Sequence, residues 1–461
     1  MALNKEFYIR NRQKFASELP PNMAVFLFSG EAVCITPNNE SEFIPDRNFY
    51  YLTGIEQEGA CLIITTPPRK ASTEAFTSGA TSEAVSRALA GALAEDAVTY
   101  NEKLFVLSKD DMQERWHGKR LTREEYSDIS GISVSDICDM DDSFDEYCYQ
   151  YLSKDASAWH IAVDKSSISK QASRFEQQVL AQANSDDNEP IDISKIIEKM
   201  RTIKASCEIE AIAKARAIVL QAFEKLELDG SGLRSEYDVY ATLQSALITG
   251  GSMVQAFMTI AAVDENCFYL HHSRPEKDKM IKPDSIMQID IGARVDGYCC
   301  DLSRVFFAKE IGANQGTKEI DAIRMKRAED LRILVDSLLD AAVDFIRPGV
   351  TLKELNMHMM ELAEVWLKEQ GLINELSNEE IKCYYWHNVA HHLGLETHDV
   401  GDREAPFEEG NVLAVEPGIY IPEWNVGFRV EDDVVVTSDG CCFVGDLYGD
   451  SADRKRDYRN R

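Results

Sequence analysis

The chain reads as an α/β (α+β) protein of two domains, an N-terminal α/β domain followed by a larger second domain, and three observations point there. Short strand-like runs alternate with helical patterning early in the chain, and a polar, Pro-terminated segment interrupts the apolar pattern just before residue 190. Beyond it, long amphipathic helices are interleaved with β-branched runs that hold carboxylates. Length agrees, since 461 residues are long for one domain and can bury a core in each of two.

Taken in order, residues 24–28, 61–66 and 104–107 are apolar and β-rich and predict strands, while 82–93 predict a helix. Residues 184–190 contain no apolar side chain and end in Pro190, so the domain boundary is placed there. This gives domains at 1–190 and 191–449, with a polar tail at 450–461. Ile209, Ile212, Ala213, Val219, Leu220 and Phe223 recur at helical spacing as a core stripe, broken only by Arg216, with Glu208 and Glu210 near the positive N-terminal end. Further helices are predicted over 318–346, stopped by Pro348-Gly349, and 352–370, opened by a Thr351-x-x-Glu354 capping box.

The chemistry lies between these helices. Residues 286–292 predict a strand, Asp296-Gly297 a hairpin turn, and 298–307 a returning strand, which brings Asp290 and Asp301 opposite each other within a residue or two of register. Like charges placed so repel unless a cation lies between them. Residues 412–418 end an apolar strand on Glu416, and residues 428–436 embed Glu431 in a β-branched run with Arg429 on the same face. Isolated buried carboxylates are costly. With His391 these residues form an oxygen-rich donor set of four carboxylates and one imidazole, suited to two divalent ions such as Mn²⁺. Singly, an Asp in a strand is more often at an edge, and the run Glu431-Asp432-Asp433 more often a solvated loop. Five coincidences in one region favour the metal centre.

Composition excludes other classes. A net charge of −30 opposes phosphate backbones and anionic bilayers, so neither nucleic acid nor membrane is an expected partner. The 11 cysteines include no Cys-x-x-Cys pair, and Cys34, Cys61, Cys299 and Cys300 sit among apolar neighbours, as reduced core thiols in a cytoplasmic protein would. The first residues are no signal peptide, and no run of about 18 apolar residues could span a bilayer. The basic residues of 454–461 read as a solvated end.

The segment from His387 through His391-His392-Leu393-Gly394 to His398-Asp399-Val400-Gly401 resembles the pita-bread metallopeptidases of the aminopeptidase P and prolidase branch. So do Leu270-His271, Asp290-x-Gly292, Asp301-Leu302-Ser303-Arg304, Val415-Glu416-Pro417-Gly418 and Arg429-x-Glu431-Asp432-Asp433, in the same order. Residues 49–54 and Glu114-x-Trp116-x-Gly118 are similar to that branch's N-terminal domain.

The resemblance implies a pita-bread catalytic domain with helices backing a mostly antiparallel sheet, and metal ligands Asp290, Asp301, His391, Glu416 and Glu431. It assigns His271, His387, His398 and Arg429 to catalysis and substrate binding, with Glu416 as base. It leaves His272 without a role. Asn48, Asn388, Ala390 and Thr397 depart from the family's pattern, and residues 71–102 look like an insertion; no ligand is affected. The pair His387-x-x-x-His391 has zincin spacing, but Asn388 stands where the general base would be. Asp399 is a potential partner fixing the tautomer of His398.

The implied activity is metal-dependent hydrolysis of the bond between an N-terminal residue and proline. The alternatives are prolidase, which shares every ligand, and a silent pita-bread protein that only binds peptides. Trp116, in a strongly polar setting, matches a residue that in relatives borders a neighbouring subunit's substrate pocket, which implies a homo-oligomer with Trp116 contributing to substrate binding in trans.

Overall fold

The computed structural model describes residues 3–36, 39–67, 99–152, 159–182, 189–313, 320–375 and 379–448. The expected helix at 82–93, most of the 71–102 insertion and the 454–461 tail lie outside them. The chain divides into two compact units, one of Asn4–Met200 and one built mainly of Arg201–Arg461.

The first unit is a mixed six-stranded sheet of β1 (Met23–Phe28), β2 (Cys61–Thr66), β3 (Asn101–Val106), β4 (Ile137–Asp139), β5 (His160–Val163) and β6 (Ile191–Asp192), in the order β4-β3-β2-β1-β5-β6. The division falls downstream of the polar loop chosen from sequence because β6 follows that loop and still pairs in parallel with β5. Every residue of β1 and β2 is buried, with helices packed on the sheet through contacts such as Phe26 on Phe175, 4.5 Å between ring centroids. Cys34, expected in a core, is exposed: it lies with Val33 and Ile35 in a short hairpin that nothing covers among the described residues.

The second unit contains α1 (Ser206–Asp229), α2 (Glu236–Thr249), α3 (Ala322–Phe345) and α4 (Leu352–Glu369). Its strands are β7 (Ile260–Val263), β8 (Ile286–Ile291), β9 (Arg294–Val295), β10 (Tyr298–Cys299), β11 (Leu302–Phe307), β12 (Ala390–His392), β13 (Val412–Val415), β14 (Gly418–Ile421), β15 (Val426–Arg429), β16 (Asp432–Val436) and β17 (Cys441–Phe443). They form antiparallel sheets β11-β8-β7, β12-β13-β16-β17, β14-β15 and β9-β10. Leu331, Leu338, Leu355 and Met359 of α3 and α4 enter one apolar core with Ile286, Phe307, Leu413 and Phe428 from the strands. Burying each such side chain stabilises by roughly 1.5–3 kcal/mol. Helices thus back antiparallel sheets, as the pita-bread resemblance implies.

Local signals account for the boundaries. The Thr351–Glu354 capping box opens α4 as its sequence predicts. α3 starts later than expected because Asp321 is its cap, accepting a hydrogen bond from the Arg324 amide. The predicted strand over 298–307 is broken in two. Gly292 approaches so close that a Cβ there would stand 2.4 Å from the Cys300 carbonyl oxygen, and the chain kinks at Cys300-Asp301 between β10 and β11. The turn itself holds, with φ of 49° at Asp296 and 80° at Gly297. In α1, Ala213 and Leu220 are only half-buried, while Arg216, the break in the stripe, is buried against a carboxylate on β16.

Candidate metal centre

Strand ends deliver the donors. Asp290 is the penultimate residue of β8, and Asp301 directly precedes β11, where Asp290 pairs in register with Ser303. His391 is central in β12, opposite Ala414. Glu416 follows β13, its amide donating to Val389 O at 2.7 Å, and Glu431 precedes β16, its amide donating to Ser303 O at 3.1 Å. Asp301, Glu416 and Glu431 sit just outside the strands, Asp290 and His391 within paired ones, and all five side chains reach the same space.

That space is a cavity of about 520 Å³ lined by all five residues, and by His271, His387, His398 and Arg429. The His391 ring fixes the polarity of the centre. Its Nδ1–H donates to the His392 carbonyl at 3.1 Å, so Nε2 presents a lone pair. That atom lies 3.6 Å from Asp301 Oδ2, and 3.8 Å from both Glu416 Oε1 and Glu431 Oε1. Ligand atoms of Asp301, His391 and Glu431 all fall within 4.8 Å of one another. The Oδ1 atoms of Asp290 and Asp301 are buried and accept no hydrogen bond from any described group. Buried acceptors of this kind need a partner, and a divalent cation supplies one. The residues therefore fit a metal.

Electrostatics agree. Burial, then repulsion from Glu431, Asp290, Asp433 and Glu416, holds the Asp301 carboxyl well above the usual range. Glu431 is raised for the same reasons, burial first and then Asp290 and Glu416. Burial lifts Glu416 to about 8 despite the opposing Arg429 guanidinium. The Arg429 guanidinium acts electrostatically on Glu431 as strand alternation suggests, but its ion pair is with another acid, since β15 ends at Arg429. Its guanidinium instead pairs with Asp290 and donates to Leu270 O at 3.2 Å, with Glu416 at 3.9 Å.

Burial lowers the imidazoles. His391 is depressed to about 3 by burial and then by His398, which stacks on it with ring centroids 4.2 Å apart. His387, depressed to about 4 by burial, is neutral near pH 7; its Nδ1–H donates to Asn388 O at 2.9 Å and its Nε2 accepts from Tyr420 OH at 3.1 Å. His398 is also lowered by burial, then by His271 and Arg403. Asp399 does not orient His398: its carboxylate is taken by Lys204 at 3.0 Å and by Arg201, both buried cations. Trp116 lies in the first unit, on the helix Asp111–His117, with 81% of its surface exposed, so it is not a core residue.

Several supporting residues escaped the sequence reading. Ser303 Oγ donates to Glu431 Oε2 at 3.0 Å, Asp433 accepts the Asp301 amide at 3.2 Å, and Gln288 Oε1 accepts the Arg429 amide at 2.8 Å. Asp432 binds Arg216 through two hydrogen bonds of 2.9 and 3.0 Å and Arg304 at 2.8 Å, which holds its carboxyl down at about 2 against burial. Ser303, Arg304, Asp432 and Asp433 lie in segments that carry the family resemblance, and Arg216 was signalled as a charge inside an apolar helical stripe.

Antiparallel sheets that bring four carboxylates and an imidazole to the wall of one cavity define a metal-dependent hydrolase. The chain belongs to metallopeptidase family M24, whose profile matches residues 205–438, and the aminopeptidase P N-terminal domain profile matches residues 8–157. Membership implies divalent metal ions. The chain is 23% identical to an Xaa-Pro aminopeptidase of Escherichia coli, covering 95% of this chain and 94% of that one. It is 25% identical to Xaa-Pro aminopeptidase 3 of Homo sapiens, over 86% and 73% of the two chains. Among solved structures, a candidate aminopeptidase P from Bacillus anthracis superposes with a TM-score of 0.79 at 26% identity, covering 99% of this chain and all of the other. Zinc-substituted E. coli aminopeptidase P with product gives 0.78 at 21%, covering 96% of each, a likeness of fold.

Proposed function

We propose that the chain is an Xaa-Pro aminopeptidase, releasing the N-terminal residue from peptides with proline in second position. The observation that carries this reading is the convergence of Asp290, Asp301, His391, Glu416 and Glu431 on one cavity also lined by His271, His387, His398 and Arg429. The matched aminopeptidase P N-terminal domain and the relatives named Xaa-Pro aminopeptidase support the substrate class.

The five donors would hold two divalent ions, and the preponderance of oxygen favours Mn²⁺. When bound, such ions supply Lewis acidity that activates water and polarises the scissile carbonyl. The protein's own groups do the rest. In its ionised form Glu416 takes the proton of the attacking water and returns it toward the leaving nitrogen. The neutral imidazole of His398, with His271, donates to the developing oxyanion or to the leaving nitrogen, while His387, its N–H held by Asn388 O, lines the substrate pocket. Arg429 holds Asp290 in place.

Comparing turnover of an Xaa-Pro-Yaa tripeptide with the Xaa-Pro dipeptide tests the reading. Aminopeptidase P activity requires cleavage of the tripeptide. Cleavage of the dipeptide alone makes the protein a prolidase, and cleavage of neither refutes both.

A homo-oligomer with Trp116 completing a neighbour's substrate pocket is part of the same proposal, supported by the exposure of this large apolar ring. The free state of all 11 cysteines supports a reducing, cytoplasmic setting. Trp116→Ala should lower kcat/KM for proline peptides with metal content intact. Mixing Trp116→Ala chains with Asp301→Asn chains should restore part of the activity, and a fully active monomer in sedimentation would refute shared sites.

A further inference from the structure

Two buried carboxylates outside the donor set bracket the segment that carries His271. Asp264 stands at its start with a φ of 54°, an unusual conformation for a non-glycine residue that needs support. Its Oδ2 accepts from Ser285 Oγ at 2.8 Å, and its Oδ1 accepts from the Ile286 amide at 3.1 Å and from Arg324 at 2.8 Å.

Glu236, the first residue of α2, is 0% exposed and gathers four donors. The Val263 amide and Asn266 Nδ2 reach Oε1, both at 2.8 Å. The Glu276 amide at 2.9 Å and His272 Nε2 at 3.1 Å reach Oε2. An ionised carboxylate only accepts, so the His272 proton resides on Nε2. These donors come from just before, within and at the end of residues 264–276, and one carboxylate ties both ends of the segment together.

The start of the segment is anchored further by the Asp264 bonds and the buried Cys267, and the stretch that carries His271 and His272 has less to hold it. Its interior consists of turns: the Tyr269 amide donates to Asn266 O at 3.0 Å, His272 to Tyr269 O at 3.0 Å, and Ser273 to His271 O at 2.7 Å. The His271 side chain is itself exposed and faces the cavity. The neighbouring Leu270 carbonyl accepts from Arg429, which pairs with Asp290. Rotation of the His272 ring away from Glu236 would therefore turn the peptide that presents His271.

We propose that His272 and Glu236 form a positioning pair that fixes the imidazole of His271 at the cavity wall. The proposal rests on the peptidase reading for its kinetic consequence but not for its geometric one. His272 assists through its neighbour and touches no substrate.

The test is a double-mutant cycle of His272→Ala and His271→Ala, with His272→Gln and Glu236→Gln as milder variants, on an Xaa-Pro-Yaa peptide. His272→Ala should lower kcat about tenfold, the equivalent of one charge-assisted hydrogen bond, while KM and metal content hold. His272→Gln, whose amide can donate to the same oxygen, should recover most of the loss. In the His271→Ala background, His272→Ala should cost nothing more. Equal losses in both backgrounds overturn the proposal. A second readout needs no turnover: the Cε1–H proton resonance of His271, identified by its disappearance in His271→Ala, should shift in His272→Ala and in Glu236→Gln. An unmoved resonance overturns the positioning pair whether or not the peptide is cleaved, whereas failure of the unmodified protein to cleave it counts against the peptidase reading alone.

Discussion

Asp301→Asn is expected to strip divalent metal from the protein and to take hydrolysis with it. The substitution keeps the shape of the side chain and removes its charge, so the oxygen facing His391 Nε2 at 3.6 Å becomes a weak neutral donor. Asp301 also has a buried Oδ1 with no hydrogen-bond partner among the described groups, and it abuts the other acids of the centre. Elemental analysis should find the variant nearly metal-free. His398→Ala offers the contrast, since its ring stacks on His391 and donates no atom to the donor cluster. It should retain metal and lower turnover by roughly the 10²–10⁴-fold typical of lost acid–base help. If His398→Ala loses metal as readily as Asp301→Asn, the division between ligands and substrate-facing histidines is wrong.

The chelated protein should become less stable as pH rises from about 6.5 to about 8, above the window in which its depressed imidazoles act in the opposite sense, and divalent metal should cancel the trend. Glu416 ionises near 4.5 in the unfolded chain but near 8 in the fold, where burial opposes its charge. Between those values the folded state holds a proton that the unfolded state has released, so stability present below the lower value is lost as pH climbs through the upper one. Asp301 and Glu431 are raised in the same direction and add to the slope. Metal replaces those protons as the balancing positive charge. Thermal unfolding at about pH 6.5 and pH 8, with chelator and with Mn²⁺, measures the effect, and Glu416→Gln should flatten it. The net charge of −30 contributes a similar slope of its own, which the Glu416→Gln comparison subtracts. A chelated protein equally stable at both pH values would show that these carboxylates do not sit charged and crowded in the fold.

The convergence of these residues on one cavity was legible because carboxylates in apolar strands violate the local pattern, and four such carboxylates with a histidine on short segments are conspicuous. Helix starts were legible where a side chain caps them, as at Thr351. Three features were not. The break at Cys300-Asp301 depends on the close passage of Gly292, a contact between segments that no run of residues announces. Asp399 looks like a histidine partner by adjacency, yet Arg201 and Lys204, distant in sequence, claim it. Arg429 alternates with Glu431 along the chain but meets Asp290 because β15 stops between them. In each case tertiary packing selected the partner, and sequence spacing carries no record of that selection.

The spread of the five residues along the chain from Asp290 to Glu431 has a consequence for biosynthesis. A chain emerging from the ribosome displays Asp290 and Asp301 long before β15 and β16 exist to carry Glu431 into place. Non-local pairings of this kind form late, because loop closure must precede any gain from the contacts. The nascent protein therefore passes through a stage in which the acids remain apart and hydrated, with no high-affinity hold on a metal. A metal held by all five residues would load only on the finished fold, and a half-made chain would lack both it and any hydrolysis that depends on it.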